Sequence, residues 1–250
     1  MPLEKRTRLP TASPALDLPP AFRLVSLREV DDAFAHAMGV AAQKGAGTLI
    51  HVGRFDVAEF AVVLEPQESL RTARRALYAG LVALGDALVA LAPPQVPLTY
   101  VWPDAISVDG ALVGGGRLGW PNGADDDMPP DWLVFAAMIR TGTLEGEPGL
   151  NPLSSTIGEE GVADLDGARL VESFSRNLMA ALDAWQECGF EAIAKAYLAR
   201  LTNDAGVHRT LADNGDLLVR RSGSKTRRLS LLRALEQPSW LDPASGDLRA

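Results

Sequence analysis

Residues 99–118, TYVWPDAISVDGALVGGGRL, constrain the fold more tightly than any other stretch. Asp109-Gly110 between two apolar runs signals a two-residue β-hairpin. Strands are therefore expected at 98–102, 105–109 and 111–120, and the last carries three bare glycines, Gly114, Gly115 and Gly116. Each glycine weakens a strand, so the run needs a reason: a ligand, cofactor or second strand approaches the main chain, or the strand is a twisted edge or bulge with no guest.

The flanking segments supply the layers around this hairpin. Val30, Ala33, Phe34, Ala37, Met38 and Ala41 recur at helical spacing until Gly45 and Gly47, and β-branched runs at 47–54 and 58–66 read as two strands. Leu70, Leu77, Leu81, Leu84, Leu88 and Leu91 line one face of a helix that Pro93 and Pro94 stop, and such a face must lie on a sheet. A further buried strand is expected at 131–141, a loop over the sheet at 143–161, and two helical pieces between 165 and 201 separated by Gly189. After Thr202 the pattern shortens, and Asn214-Gly215 marks a hairpin. The expected organisation is an extended arm at 1–21, a main domain at 22–201 and a small β-rich domain at 202–250.

With a net charge of −8 and a pI near 5.0 the chain lacks the basic face that a phosphate backbone demands, so nucleic acid is not an expected partner. The first twenty residues are basic and then proline-rich, without the apolar run of a signal peptide, and no stretch is long enough to span a membrane. Cys188 is the single cysteine, expected as a small buried hydrophobe, and a chain without an internal disulfide fits a reducing cytoplasm.

Several chemistries lack their residues. There is no Gly-x-Ser-x-Gly elbow, no His-Glu-x-x-His and no paired-cysteine site. Asp125, Asp126 and Asp127 lie in a loop flanked by glycine and prolines, where consecutive aspartates point in different directions and a solvated connection is the expectation. What remains is the order of a Trp102-Pro103-Asp104 turn, a hairpin ending in the glycine run, and an apolar strand after a long helix.

That order resembles the catalytic domain of the biotin-protein ligase and lipoate-protein ligase superfamily, whose biotin ligases carry Lys-Trp-Pro-Asn-Asp, a hairpin, then Lys-Leu-x-Gly-Ile-Leu. Here the corresponding stretches are Val101-Trp102-Pro103-Asp104-Ala105-Ile106 and Ala111-Leu112-Val113-Gly114-Gly115-Gly116. The likeness extends over roughly residues 22 to 235. Glu29-Val30-Asp31 stands where the family has a Ser-Thr-Asn turn, Leu64-Glu65-Pro66 ends a strand as Arg-Pro does there, and residues 155–161 lead into paired helices. Residues 213–218 look like the hairpin of the family's small C-terminal domain.

The resemblance implies an α+β fold: a mixed, mostly antiparallel sheet backed by helices, akin to class II aminoacyl-tRNA synthetases, with a small β-rich C-terminal domain. It implies activation of a small carboxylic acid, biotin or lipoate-like, with ATP and Mg²⁺ to an acyl-adenylate, then transfer to a lysine of a carrier domain. A homodimer formed edge to edge is a further implication. Joining two anions needs fixed positive charge, yet no lysine occurs between Lys44 and Lys195, and the family's glycine- and arginine-rich loop is cut to Gly53-Arg54. Arg117 and Arg54 are therefore the expected catalytic cations. Arg140, Trp102, Pro103, His51 and Gly114 to Gly116 are the expected binding residues, Arg140 reading equally as a strand-end cation paired with Asp104, Glu145 or Glu147. Asp104 reads either as a Mg²⁺ ligand and binding residue or as a local turn cap; His51 as a pocket donor or a structural histidine; Trp102 as an adenine platform or core. With the lysines missing, a binding protein or sensor for a small carboxylate or nucleotide, built on the same fold, stands as the second reading.

Overall fold

This computed structural model describes residues 16–54, 56–91, 96–141, 166–202 and 205–249. Seven strands form the main sheet in the order β1-β2-β3-β7-β6-β5-β4. They are β1 (Arg23–Leu27), β2 (Thr48–Gly53), β3 (Val57–Leu64), β4 (Leu98–Val101), β5 (Ala105–Val108), β6 (Ala111–Gly119) and β7 (Leu133–Arg140). Only β1 with β2 runs parallel; every other neighbouring pair is antiparallel. The inner strand β3 alternates faces: Ala58, Phe60 and Val62 join one core, Ala61 and Val63 another. This two-sided burial explains why β3 and β7 are almost wholly apolar.

One face carries α3 (Ala76–Leu91), α4 (Gly167–Cys188) and α5 (Phe190–Arg200), whose side chains form the main core with Phe60, Phe135 and Phe174. Phe174 lies 4.6 Å from the ring of Phe60 and 5.7 Å from that of Phe135, fixing α4 across β3 and β7. Each such buried side chain contributes about 1.5–3 kcal/mol through removal from water. The other face carries α1 (Ala33–Lys44), which packs Ala33, Ala37 and Ala41 on Ile50, Val52, Ala61 and Val134.

Local outcomes refine the sequence reading. The 70–91 pattern is two helices, α2 (Leu70–Ala73) and α3, because Arg74 and Arg75 leave the register to pair with Asp126 and Glu68. The 122–130 loop is thereby pinned to α2, and Arg74 draws the Asp126 carboxyl below its ordinary value. Residues 16–22 lie against the body: Leu16, Leu18 and Phe22 pack on the main core and Asp17 pairs with Arg176 at 2.6 Å. Cys188 ends α4 and is exposed, not buried. The loop expected at 143–161 lies outside the described residues.

Beyond α5 the chain forms a second, three-stranded antiparallel sheet, β8 (Val207–Leu211), β9 (Leu217–Arg221) and β10 (Arg227–Leu229), followed by α6 (Leu231–Leu235). The Tyr78 hydroxyl donates to the Gly215 carbonyl at 2.6 Å and accepts from the Trp102 indole at 3.0 Å, joining this sheet to α3 and to the β4–β5 turn. The final segment, from Ser239, returns to the main sheet on the α1 face. There Trp240 and Leu241 cluster with Val57, Ala105 and Met138.

Candidate functional site

Residues pointing to the α1 face can be read from strand register. Arg117 pairs with Ala136 and Glu59 with Val52, both partners lying in the α1-side core, so Arg117 and Glu59 share that face. The short β2–β3 connection brings Arg54 to them.

Four charges meet at the N-terminus of α1. Asp32 caps the helix by accepting from the Ala35 N–H at 2.9 Å, and its Oδ1 also accepts from Arg117 Nη2 at 3.0 Å. Glu59 Oε1 accepts from the Ala33 N–H at 2.7 Å, so a second orphan donor of the helix is satisfied by a carboxylate of the chain itself. Glu59 Oε2 ion-pairs with Arg54 Nη1 at 3.0 Å without an aligned hydrogen bond, and Arg54 Nε donates to the Glu29 carbonyl. Arg117 also lies over the Phe34 ring, 4.1 Å from its centre. Burial raises the Glu59 carboxyl above its ordinary value, opposed by the Ala33 N–H and Arg54, and burial lowers the Arg117 guanidinium, opposed by Asp32. Two cations and two anions thus neutralise each other, and the anion-binding end of α1 is occupied by Glu59.

The glycine run is approached closely, but by the protein. A side chain on Gly115 would collide with the Asp104 carbonyl and the Trp240 indole; on Gly116, with Phe135 and Leu81. Gly114 has φ +148° and sits against the Met138 carbonyl, a conformation and a space that L-residues do not fit. Trp240 is buried and donates its indole N–H to the Gly116 carbonyl at 3.1 Å. The run exists because β6 must pass between a tryptophan on one side and Phe135 on the other.

The remaining expected site residues disperse. Asp104 is buried, and its two carboxylate oxygens accept from the Ser239 N–H at 3.0 Å and the Ser239 hydroxyl at 2.5 Å. It latches the C-terminal segment in place. Among the described residues no group of three or more His, Cys, Asp or Glu is placed to hold a metal ion. Arg140, at the end of β7, donates to the Leu248 carbonyl at 3.3 Å. His51 pairs in register with Phe60 and so points to the helix face, away from Arg117; burial lowers its imidazole while Asp166 raises it. Trp102 is held by Tyr78 rather than presented as a platform, and the Pro103 carbonyl accepts from Tyr197. Two groups of expected residues come together: Arg54 and Arg117, through Glu59, and Asp104 with Gly115 and Gly116, whose N–H donates to the Asp104 carbonyl at 2.9 Å. Among the described residues the expected set does not fit ATP with Mg²⁺: the three guanidinium groups are engaged by the chain's own oxygens and the main chain at 114–116 is covered.

Sequence reasoning missed Asp32, Glu59, Ser239 and Trp240. Glu59 left a signal, a lone carboxylate within the apolar run 57–64. An apolar cavity of about 560 Å³ was missed as well; it lies on the helix face, lined by Val62, Leu133, Leu178, Leu182 and Trp185. Among the described residues no arginine or lysine lines it, and Glu65 and Glu68 do, so it does not suit an anion.

The Asp104 latch has a pH signature. Burial pushes its carboxyl up to about 6, against the two Ser239 hydrogen bonds, from an unfolded value near 3.8. The native state holds that proton more tightly, so the contribution is present below pH about 4 and is lost as pH rises through about 6. Urea unfolding at pH 4.5 and 7.5 should show this component, and Asp104→Asn should remove it. An unchanged pH dependence in the variant would exclude Asp104 as its source.

Residues 18–199 match the Biotin/lipoate A/B protein ligase family. Among solved structures, a biotin protein ligase-like protein of unknown function from a Silicibacter species is 27% identical, with a TM-score of 0.77 over 89% of this chain and 100% of that one. The biotin protein ligase of Aquifex aeolicus is 16% identical with a TM-score of 0.66, covering 83% of this chain and 95% of its own. That of Leishmania major, in complex with biotin, is 13% identical with a TM-score of 0.55, covering 85% and 99%. A comparison with curated proteins finds no match. The seven-stranded mixed sheet, its helical backing and the small C-terminal sheet are those of the biotin ligase fold, and with the match across 18–199 they make this chain a member of the biotin/lipoate A/B protein ligase family.

Proposed function

We propose that this chain binds a small carboxylic acid at the mouth of α1 and does not convert it to an acyl-adenylate. The observation that carries this reading is the charge balance around Glu59: Arg54 and Arg117, the two expected catalytic cations, are paired with Glu59 and Asp32. A carboxylate can still enter. The Asp32 side chain is 52% exposed and that of Arg117 17%, so an incoming acid meets Arg117 from the open Asp32 side and takes the place of the Asp32 carboxylate. The guanidinium offers it two parallel donors, and Phe34 holds the guanidinium plane.

The second reading, an ATP-dependent ligase that passes biotin or a lipoate-like acid to a carrier-protein lysine, is favoured by the family match over 18–199. One experiment separates the two: incubation with ATP, Mg²⁺ and biotin, lipoate or octanoate, followed by pyrophosphate assay and, in parallel, calorimetry without ATP. The expected result is heat of binding with one of the acids, lost in Arg117→Ala, and no pyrophosphate above the protein-free control. Pyrophosphate release with any acid establishes the ligase. Binding unaffected by Arg117→Ala removes the α1 mouth as the site.

A further inference from the structure

The charge of this chain is unevenly placed. Residues 205–236 carry seven arginines and lysines against Asp213, Asp216 and Glu236, a net of about +4 within a total of −8. The three-stranded sheet therefore stands as a cationic module on an acidic body. Its acids are partly spent: Asp216 binds Arg228 at 2.6 Å and the Leu231 N–H at 2.8 Å. Arg220, Arg221, Lys225 and Arg227 are exposed and form no ion pair among the described residues.

Register gathers them at one end of the sheet, Arg221 and Arg227 on the face of Val219 and Arg220 on the opposite face, so they surround that end. Arg227 lies opposite Val219, Arg221 opposite Val207, and Lys225 sits in the β9–β10 turn between them. Edge protection accounts for a cation on β10, which has one free side. It does not account for Arg220 and Arg221, because β9 is the middle strand and is paired on both sides. Crowding like charges without an anion costs energy, so a surface kept in this state matches an anionic counterpart.

We propose that Arg220, Arg221, Lys225 and Arg227 form a docking surface for a carboxylate-rich face of another protein. Residues 205–236 contain no Phe, Tyr or Trp on which a base could stack, and the acidic remainder of the chain repels a long polyanion. The one large hydrophobic exposed in this module, Leu232, gives little to insert into a bilayer. A protein face is small enough to touch the cationic end alone. The surface stands independently of any ligand at α1.

The test uses the full chain and a fluorescein-labelled polyglutamate peptide, read by anisotropy at low and moderate salt. Duplex DNA of equal charge and phosphatidylcholine vesicles containing phosphatidylserine serve as competitors. Polyglutamate should bind, weaken with added salt, and lose at least about tenfold in affinity in R220Q/R221Q/K225Q/R227Q. R220K/R221K/R227K, which keeps the charge, should retain binding, and R169Q/K195Q, on exposed positions of α4 and α5, should behave as wild type. Equal binding by the glutamine variant, equal loss in R169Q/K195Q, or tighter binding to DNA or vesicles overturns the proposal. Loss in the lysine variant as well would show that charge is not what the surface supplies, and overturns it too.

Discussion

Trp240→Ala is expected to lower the unfolding free energy by about 3–5 kcal/mol, the range for truncating a large buried aromatic. Trp240 is 1% exposed, fills the space above Gly115, and ties its indole to the Gly116 carbonyl. Alanine leaves a void that β6 cannot close, because a strand hydrogen-bonded on both sides does not collapse into it. Urea unfolding measures the loss; a change under about 1 kcal/mol would mean that the segment from Ser239 is not seated on the sheet. The same variant uncovers the face that ligase resemblance assigns to a guest. It should bind small acids no worse than wild type if the site is the α1 mouth, since Asp32, Arg54, Glu59 and Arg117 are untouched.

Arg54→Ala is the second large effect, about 2–3 kcal/mol at pH 7.5. Glu59 is 3% exposed, and losing Arg54 leaves its charge with the Ala33 N–H as its one hydrogen-bond donor and Arg117 at longer range. Breaking a fully buried pair costs more, but the Arg54 side chain keeps 24% of its surface in water. The sign with pH follows from the Glu59 carboxyl, already raised by burial and partly held down by Arg54. Without Arg54 it rises further, so the penalty is present at neutral pH and shrinks as pH falls and the carboxyl takes a proton. Glu59→Gln in the Arg54→Ala background should restore most of the loss, and a double-mutant cycle gives the coupling. Additive effects would show that the pair does not interact.

Much of the architecture was legible because periodicity survives tertiary context. β3, β6 and β7 announce themselves as apolar runs, and Asp109-Gly110 and Asn214-Gly215 mark hairpins. β1 did not, since a largely exposed edge strand needs no apolar face. The break at Arg74 was hidden because the spacing of Leu70, Leu77 and Leu81 is continuous, while the cause of the break, Asp126, lies 52 positions away. The arginines were legible as cations but not as paired cations. Arg117 meets Asp32 across 85 residues, Gly116 meets Trp240 across 124, and Asp104 meets Ser239 across 135. Which charge is free is a property of the folded sheet, and no local pattern encodes it.

The phenol of Tyr78 touches three elements at once, giving its proton to Gly215 and taking one from Trp102. The buried hydroxyl proton of Tyr78, held by Gly215, is therefore a built-in clock: it trades for deuterium when the seam between the large and small sheets parts. Its exchange rate, followed by NMR, times how often the C-terminal module lets go of the body, with no label added to the protein.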